Sequence, residues 1–167
     1  MNIQWSNRKY FGMGIESIKY ENNMGTLMRS AHCFNADFIY TIGAKYRETP
    51  GDTTKVSRGY TILHWTNPME MRANTPPEAM IVGVETPNRV EEVRANGIIA
   101  PTPVEIIDFI HPDKAVYVLG NEARGLSDDM LAVCNHIVYI TTNYCLNVSV
   151  AGSIIIYDRY IKERANG

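Results

Sequence analysis

Two short apolar runs that each end in a polar loop, with one long apolar run after them, constrain this chain more than any other feature. Residues 115–119 (Ala-Val-Tyr-Val-Leu) read as a buried strand entering a glycine-bracketed loop, 120–125 (Gly-Asn-Glu-Ala-Arg-Gly). Residues 136–140 (His-Ile-Val-Tyr-Ile) read as a second strand, ending in the polar loop 141–145. A helix is predicted from there, over residues 146–163. Open α/β sheets bind ligands at the carboxyl ends of their strands, so chemistry is expected at these two loops.

The upstream chain alternates in the same way. A strand is predicted over 10–15, then a helix over 23–34 capped by Asn23, with Leu27, Met28, Ala31 and Phe34 on its buried face. A second strand over 38–42 makes this a right-handed crossover and a parallel pair. Further strands are predicted over 61–65 and 79–84, and helices over 67–74 and 89–96, the last closed by Gly97. Residues 101–112 read as a plain connection. The order predicts one α/β domain over 1–167, a mostly parallel sheet with helices on both faces.

One segment breaks the alternation. Residues 43–59 carry Lys45, Tyr46, Arg47, Lys55 and Arg58, with Glu48 and Asp52 as the only acids. Polar loops this long are functional or disordered. Cations interleaved with a tyrosine can hold phosphates and stack a base, and they can equally be a solvated loop with no specific role. The net charge is −2, so any nucleic-acid contact has to come from such a local patch. No apolar run approaches the roughly 20 residues of a membrane span, and the first ten residues lack the apolar core of a signal peptide. Cys33, Cys134 and Cys145 are odd in number and lack metal-ligand spacing, which suggests reduced thiols in the cytoplasm and no metal.

The last helix carries a second message. Val148, Val150, Ala151, Ile154, Ile155, Ile156, Tyr157, Tyr160 and Ile161 leave almost no polar side before Asp158. A helix apolar all round is buried all round. In so small a domain the second burying surface is expected to be another subunit, with Ile155 and Ile156 facing it and Ala151-Gly152-Ser153 allowing close approach. A two-fold dimer is the expectation.

Three separated stretches resemble one family. They are Asn23-Met-Gly25-Thr-Leu-Met-Arg29-Ser-Ala, Leu119-Gly120-Asn121-Glu122-Ala-Arg124-Gly125-Leu126 and Cys145-Leu146-Asn147-Val148-Ser149-Val150-Ala151. In this order, each beside its expected strand, they are similar to the motifs of the TrmH/SpoU RNA ribose 2′-O-methyltransferases of the SPOUT superfamily. The chain departs from that pattern at Thr141, where the family has proline, at Cys145, and in a shorter loop before the third motif.

The resemblance implies a deep C-terminal trefoil knot whose two loops enclose S-adenosylmethionine. It implies a homodimer acting on RNA (tRNA or rRNA) and not on DNA, with no separate RNA-binding domain. Val84, Glu85, Thr86, Gly120, Asn121, Ile140 and Leu146 are then the expected cofactor residues. Arg29, Asn23, Glu122, Asn147 and Ser149 are the expected catalytic group, and Lys45, Tyr46, Arg47, Lys55 and Arg58 the RNA-binding loop.

Several of these residues have plainer readings. Gly120 and Gly125 serve as turn glycines, or they let backbone approach the adenosine closely. Asn147 and Ser149 stand where helix caps are common. Glu122 is a solvated acid, an organiser of the loops, or a neighbour of Arg29. Arg29 is either a base or a clamp on the phosphate beside the target ribose; a guanidinium with a pKa above about 12 favours the clamp. Two rival functions are a knotted dimer that binds RNA without methylating it, which would show no cofactor affinity, and a SPOUT base methyltransferase. Base-modifying relatives usually lack the Asn-x-Gly…Arg motif.

Overall fold

A computed structural model describes residues 8–47 and 62–165. Seven strands, β1 (Tyr10–Glu16), β2 (Phe38–Ile42), β3 (Ile62–Trp65), β4 (Met80–Val84), β5 (Pro103–Glu105), β6 (Lys114–Leu119) and β7 (His136–Tyr139), form one sheet in the order β3-β2-β1-β6-β4-β7-β5. Every pairing is parallel. Along β6 the side chains alternate between two cores. Ala115, Tyr117 and Leu119 face α1 (Glu21–Cys33) and α5 (Val148–Ala165), while Val116 and Val118 face α2 (Pro68–Asn74), α3 (Pro87–Ala95) and α4 (Asp128–Val133). A sheet covered on both faces explains why its strands read as continuous apolar runs.

Register fixes the site. Ile15, Leu119 and Val84 stand abreast in β1, β6 and β4, so Glu16, Gly120 and Glu85 occupy one carboxyl-terminal edge. The helix starts above that edge follow local chemistry. Thr86 caps α3, which begins at Pro87 and not at Arg89, because proline is pre-organised for the first helical turn. Asn67 caps α2 by accepting from the Glu70 amide at 2.8 Å, while Glu70 accepts from the Thr66 amide at 2.6 Å.

Three expectations need correction. Asn23 does not cap α1: the helix starts earlier, at Glu21, after Tyr20, which makes no side-chain cap bond. The segment 101–112 is not a plain connection, since it holds edge strand β5 and the 3-10 turn Ile106–Asp108. Three residues opening on proline are too short to show a period, and an edge strand tolerates the missing N–H.

The third correction concerns α5. Ile155 and Ile156 are buried within the protomer against the sheet. Gly152 serves the crossing with α1, because a Cβ there would lie 2.4 Å from Leu27 Cδ1, and Ser153 Oγ sits 2.7 Å from Ser30 Oγ. The polar residues point inward instead. Arg159, 2% exposed, donates to the Pro112 carbonyl at 2.7 Å and the Tyr117 hydroxyl at 3.1 Å. Asp158 lies 2.8 Å from both His111 Nε2 and Lys162 Nζ. Outward lies an apolar stripe of Val150, Tyr157 and Ile161, 45%, 53% and 41% exposed, with half-buried Ile154 between them. Among the described residues no helix is long and apolar enough to cross a membrane.

Candidate functional site

The segments that follow β4, β6 and β7 meet at the carboxyl ends of these strands, around a cavity of about 580 Å³. Val84, Glu85, Thr86, Gly120, Asn121, Ile140 and Leu146 all line it, and so do Asn23, Glu122 and Asn147. Ser149 is buried behind Asn147. Tyr20, Thr142, Cys145 and Ala151 complete parts of the wall.

The loop after β6 is closed by its own backbone. Asn121 N–H donates to the Gly125 carbonyl at 3.0 Å, and Gly125 N–H donates back to the Asn121 carbonyl at 2.9 Å. Gly125 has φ +68°, a conformation that favours glycine. A Cβ on Gly120 would lie 2.1 Å from the Gly125 carbonyl carbon and 2.3 Å from the Leu126 nitrogen. Gly120 is therefore required by the loop's own closure before any ligand is considered. The Glu85 carboxylate braces the loop from below, accepting from Leu126 N–H at 2.7 Å and Thr86 N–H at 2.7 Å.

Side chains from three distant segments form one chain of hydrogen bonds along the cavity mouth. Glu122 Oε2 accepts from Lys19 N–H at 3.3 Å, and Glu122 Oε1 accepts from Asn23 Nδ2 at 2.5 Å. Asn23 Oδ1 accepts from Asn147 Nδ2 at 2.9 Å. Asn147 Oδ1 in turn accepts from the Ser149 N–H at 2.9 Å, the Ser149 hydroxyl at 2.6 Å and the Val150 N–H at 3.4 Å. Asn147 thus caps α5 with its oxygen and ties α5 to α1 with its nitrogen.

Arg29 stands apart. It is exposed on α1, in a stripe with Asn22, Thr26 and Cys33, and among the described residues it has no ion pair or hydrogen bond. It forms no ion pair with Glu122, whose carboxylate accepts from Asn23 and from the Lys19 amide. Of the basic loop, Lys45 is exposed, Tyr46 is half-buried against the core, and Arg47 N–H donates to Glu21 Oε2 at 3.2 Å. Lys55 and Arg58 lie outside the described residues.

Two supports were invisible in sequence. Glu16, 6% exposed, accepts from the Ser127 amide at 2.9 Å and from its hydroxyl at 2.5 Å, fixing the start of α4. Arg89 pairs with Asp128 at 2.5 Å. The only hint was a serine followed by two aspartates, a common helix start. Burial pushes the Cys134 thiol up to about 12, so it stays protonated. Among the described residues there is no cluster able to hold a metal ion.

The sequence model of the SpoU rRNA Methylase family matches residues 13–157. Among solved structures, the SpoU methyltransferase AviRb from Streptomyces viridochromogenes in complex with AdoMet superposes with a TM-score of 0.75 at 21% identity, over 97% of this chain and 63% of that one. The chain thus spans about three fifths of that protein's length. The A. aeolicus TrmH/SpoU tRNA modifying enzyme gives 0.76 at 20% identity, over 96% of this chain and 78% of that one. A structure concerned with the 2-OH methylation of C/U34 on tRNA gives 0.73 at 14% identity, over 94% of this chain and 98% of that one. No curated protein matches the chain significantly. At these identities the structural likenesses establish the fold alone.

Proposed function

The chain belongs to the SpoU rRNA Methylase family, and from that premise we propose that it transfers a methyl group from S-adenosylmethionine to a ribose 2′-hydroxyl of tRNA or rRNA. One observation carries the reading. Asn23, Glu122 and the neighbouring Asn147 and Ser149, from three segments far apart in sequence, are linked by hydrogen bonds at the mouth of a cavity lined by every expected cofactor residue.

That cavity fits the donor. Its volume is within the range of small-molecule sites. Its walls pair the apolar Val84, Leu119, Ile140 and Leu146 with the polar Thr86, Asn121 and Thr142, as an adenosine with an amino-acid tail requires. A bound sulfonium supplies an activated methyl group whose leaving group needs no protonation. The protein's work is then positioning of the hydroxyl, whose proton passes to solvent water as the O–C bond forms and the S–C bond breaks. Asn121 and the backbone after β4 and β7 hold the donor. The Glu122–Asn23–Asn147 chain fixes the loops against each other. Arg29 grips a phosphate and polarises the target hydroxyl, since its guanidinium is a poor base and a good phosphate fork.

The reading includes a homodimer, a cytoplasmic setting and a C-terminal knot. Support for the dimer is the outward apolar stripe of α5, which a second copy would cover. Support for the knot is the sheet order, which sets β7 beside β4 and the loops after β6 and β7 around one cavity.

The test is methyl transfer from labelled S-adenosylmethionine to cellular RNA, followed by alkaline hydrolysis. Label in alkali-resistant dinucleotides is the expected result, because a 2′-O-methyl blocks cleavage. Label on bases would replace the reading with base methylation. Absence of cofactor affinity in folded protein would replace it with RNA binding alone.

A further inference from the structure

The loop 121–125 is a partition between two cavities. On its far side lies a second one of about 590 Å³, lined by Glu16, Lys19, Arg124, Ser127 and Asp128 among others. Asn121, Arg124 and Arg89 reach both cavities. The acids of the second cavity are committed, Glu16 to Ser127 and Asp128 to Arg89. Lys19 and Arg124 are exposed cations with no ionic partner among the described residues. They leave the far side of the partition locally cationic in a chain of net charge −2.

Beside Lys19 stands Tyr20, 54% exposed at the rim of the first cavity, next to Asn23 and Glu122. Lys19 Nζ lies 5.2 Å from the centroid of its ring. The turn that presents the pair is held at several points. Ser17 N–H donates to the Ile42 carbonyl at 2.8 Å, Asn121 Nδ2 donates to the Ser17 carbonyl at 2.6 Å, and Lys19 N–H donates to Glu122 at 3.3 Å. Ser17 itself has φ +52°, a conformation that a non-glycine residue keeps only where its surroundings enforce it. A braced turn thus carries a large aromatic ring into solvent at the mouth of the reaction cavity, with Lys19 beside it and Arg124 on the wall of the same cavity. An aromatic face beside cations is the chemistry that binds single-stranded nucleic acid, the ring stacking a base and the cations meeting phosphates.

Resting on the methyltransferase reading, we propose that Lys19, Tyr20 and Arg124 form the subsite for the RNA strand at the target nucleotide. The target base stacks on Tyr20, and the adjoining phosphate lies between Lys19 and Arg124 at the mouth of the second cavity. Every base has a π-face, so this subsite supplies affinity and placement of the ribose, not choice of sequence.

Anisotropy with a short, fluorescein-labelled, mixed-sequence single-stranded RNA tests the subsite. Tyr20→Ala is expected to weaken binding about tenfold, within the range for one stacked base, whereas Tyr20→Phe keeps wild-type affinity. Lys19→Gln and Arg124→Gln should each lower the slope of log affinity against log salt by about 0.7. Calorimetric affinity for S-adenosylmethionine should stay at the wild-type value in Lys19→Gln, because Lys19 lines the second cavity and not the first. Wild-type RNA affinity in Tyr20→Ala, or equal losses in Tyr20→Phe and Tyr20→Ala, overturns the subsite. Because Tyr20 precedes α1, photo-crosslinking of 5-iodouridine RNA to the unmutated protein provides a second reading. A crosslink on Tyr20 supports the subsite, and crosslinks confined to residues 45–47 overturn it. The two levels separate cleanly. A wild-type protein without affinity for S-adenosylmethionine defeats the methyltransferase reading, while a Tyr20→Ala variant that methylates RNA as well as the wild type defeats only the subsite.

Discussion

Asn147 performs two tasks with two atoms, and two substitutions separate them. Its Oδ1 caps α5 through the Ser149 and Val150 amides, and its Nδ2 donates to Asn23. Asn147→Ala removes both. Loss of an N-cap costs about 1 kcal/mol, and loss of an exposed side-chain hydrogen bond adds about 0.5 kcal/mol. A total of about 1.5 kcal/mol lowers the Tm of a domain this size by about 3–6 °C. Asn147→Asp keeps the cap, and its charge suits a helix N-terminus, but it cannot donate to Asn23. Asn23 would then have to offer its amide to the new carboxylate and turn its oxygen on Glu122, or leave that carboxylate without a donor from α1. Thermal unfolding at one fixed protein concentration and calorimetric titration with S-adenosylmethionine are the assays. The expected pattern is a Tm close to wild type for Asn147→Asp, a lowered Tm for Asn147→Ala, and weakened cofactor binding in both. Equal loss of Tm in the two variants would refute the separation of cap from tether. An unchanged Tm in Asn147→Ala would refute the cap itself.

Arg29→Ala should fold, dimerise and bind S-adenosylmethionine while losing at least about a hundredfold in methyl transfer, with little rescue by Arg29→Lys; near-wild-type turnover in either would remove Arg29 from the transfer step. Tyr157→Glu should convert the dimer to a folded monomer by sedimentation, whereas Ile155→Glu should fail to fold, because Ile155 is fully buried in the protomer; a Tyr157→Glu dimer would show that α5 is not the interface. His111 should give the wild type an acid-side instability. Burial pushes its pKa below the usual histidine value against the opposing pull of Asp158, so the neutral form is favoured on folding. Below about pH 6.5 the unfolded chain takes up a proton that the folded chain refuses, and stability falls with pH. Denaturant unfolding at neutral and mildly acidic pH should show a smaller drop for His111→Gln, and an identical drop would exclude this histidine as the cause.

Six of the seven strands, their parallel direction and the position of the cavity were legible because strands covered on both faces must be apolar throughout and must end abruptly in polar residues. The family motifs added which loops matter. Orientation of α5 was not legible. Its apolar positions cover every side, so the pattern could not tell which isoleucines meet the sheet and which side chains face out. The answer came from Arg159 and Asp158, which turn inward because Tyr117, His111 and the carbonyls of Pro112 and Asp113 offer them partners there. Partners this far away in sequence leave no periodic trace. The same holds for Glu16 and Ser127, and for Asn23, whose helix-start position suggested a cap and whose actual bonds run to Glu122 and Asn147.

The distribution of hydrogen bonds also divides the labour among the motif residues. Asn23, Glu122, Asn147 and Ser149 satisfy one another, so their polar atoms are largely spent on holding three loops in register. Groups committed in this way shape a pocket and keep it shaped, at little reorganisation when a ligand arrives. Among the described residues Arg29 is the member of the expected catalytic set whose side chain has no ion pair or hydrogen bond. It sits on the α1 stripe Asn22-Thr26-Arg29-Cys33, on a helix packed beside α5, whose own exposed stripe is apolar. In the proposed dimer, a two-fold interface along the α5 stripe would be isologous, and α1 packs beside α5 in each protomer. If that dimer sets α1 of one subunit beside the cavity of the other, Arg29 would act on RNA bound at the partner's cavity. Mixed dimers of Arg29→Ala and cofactor-binding-deficient subunits would test this shared-site arrangement. Such an arrangement would require two copies for each act of transfer and would give the outward apolar stripe of α5 a catalytic reason as well as a hydrophobic one.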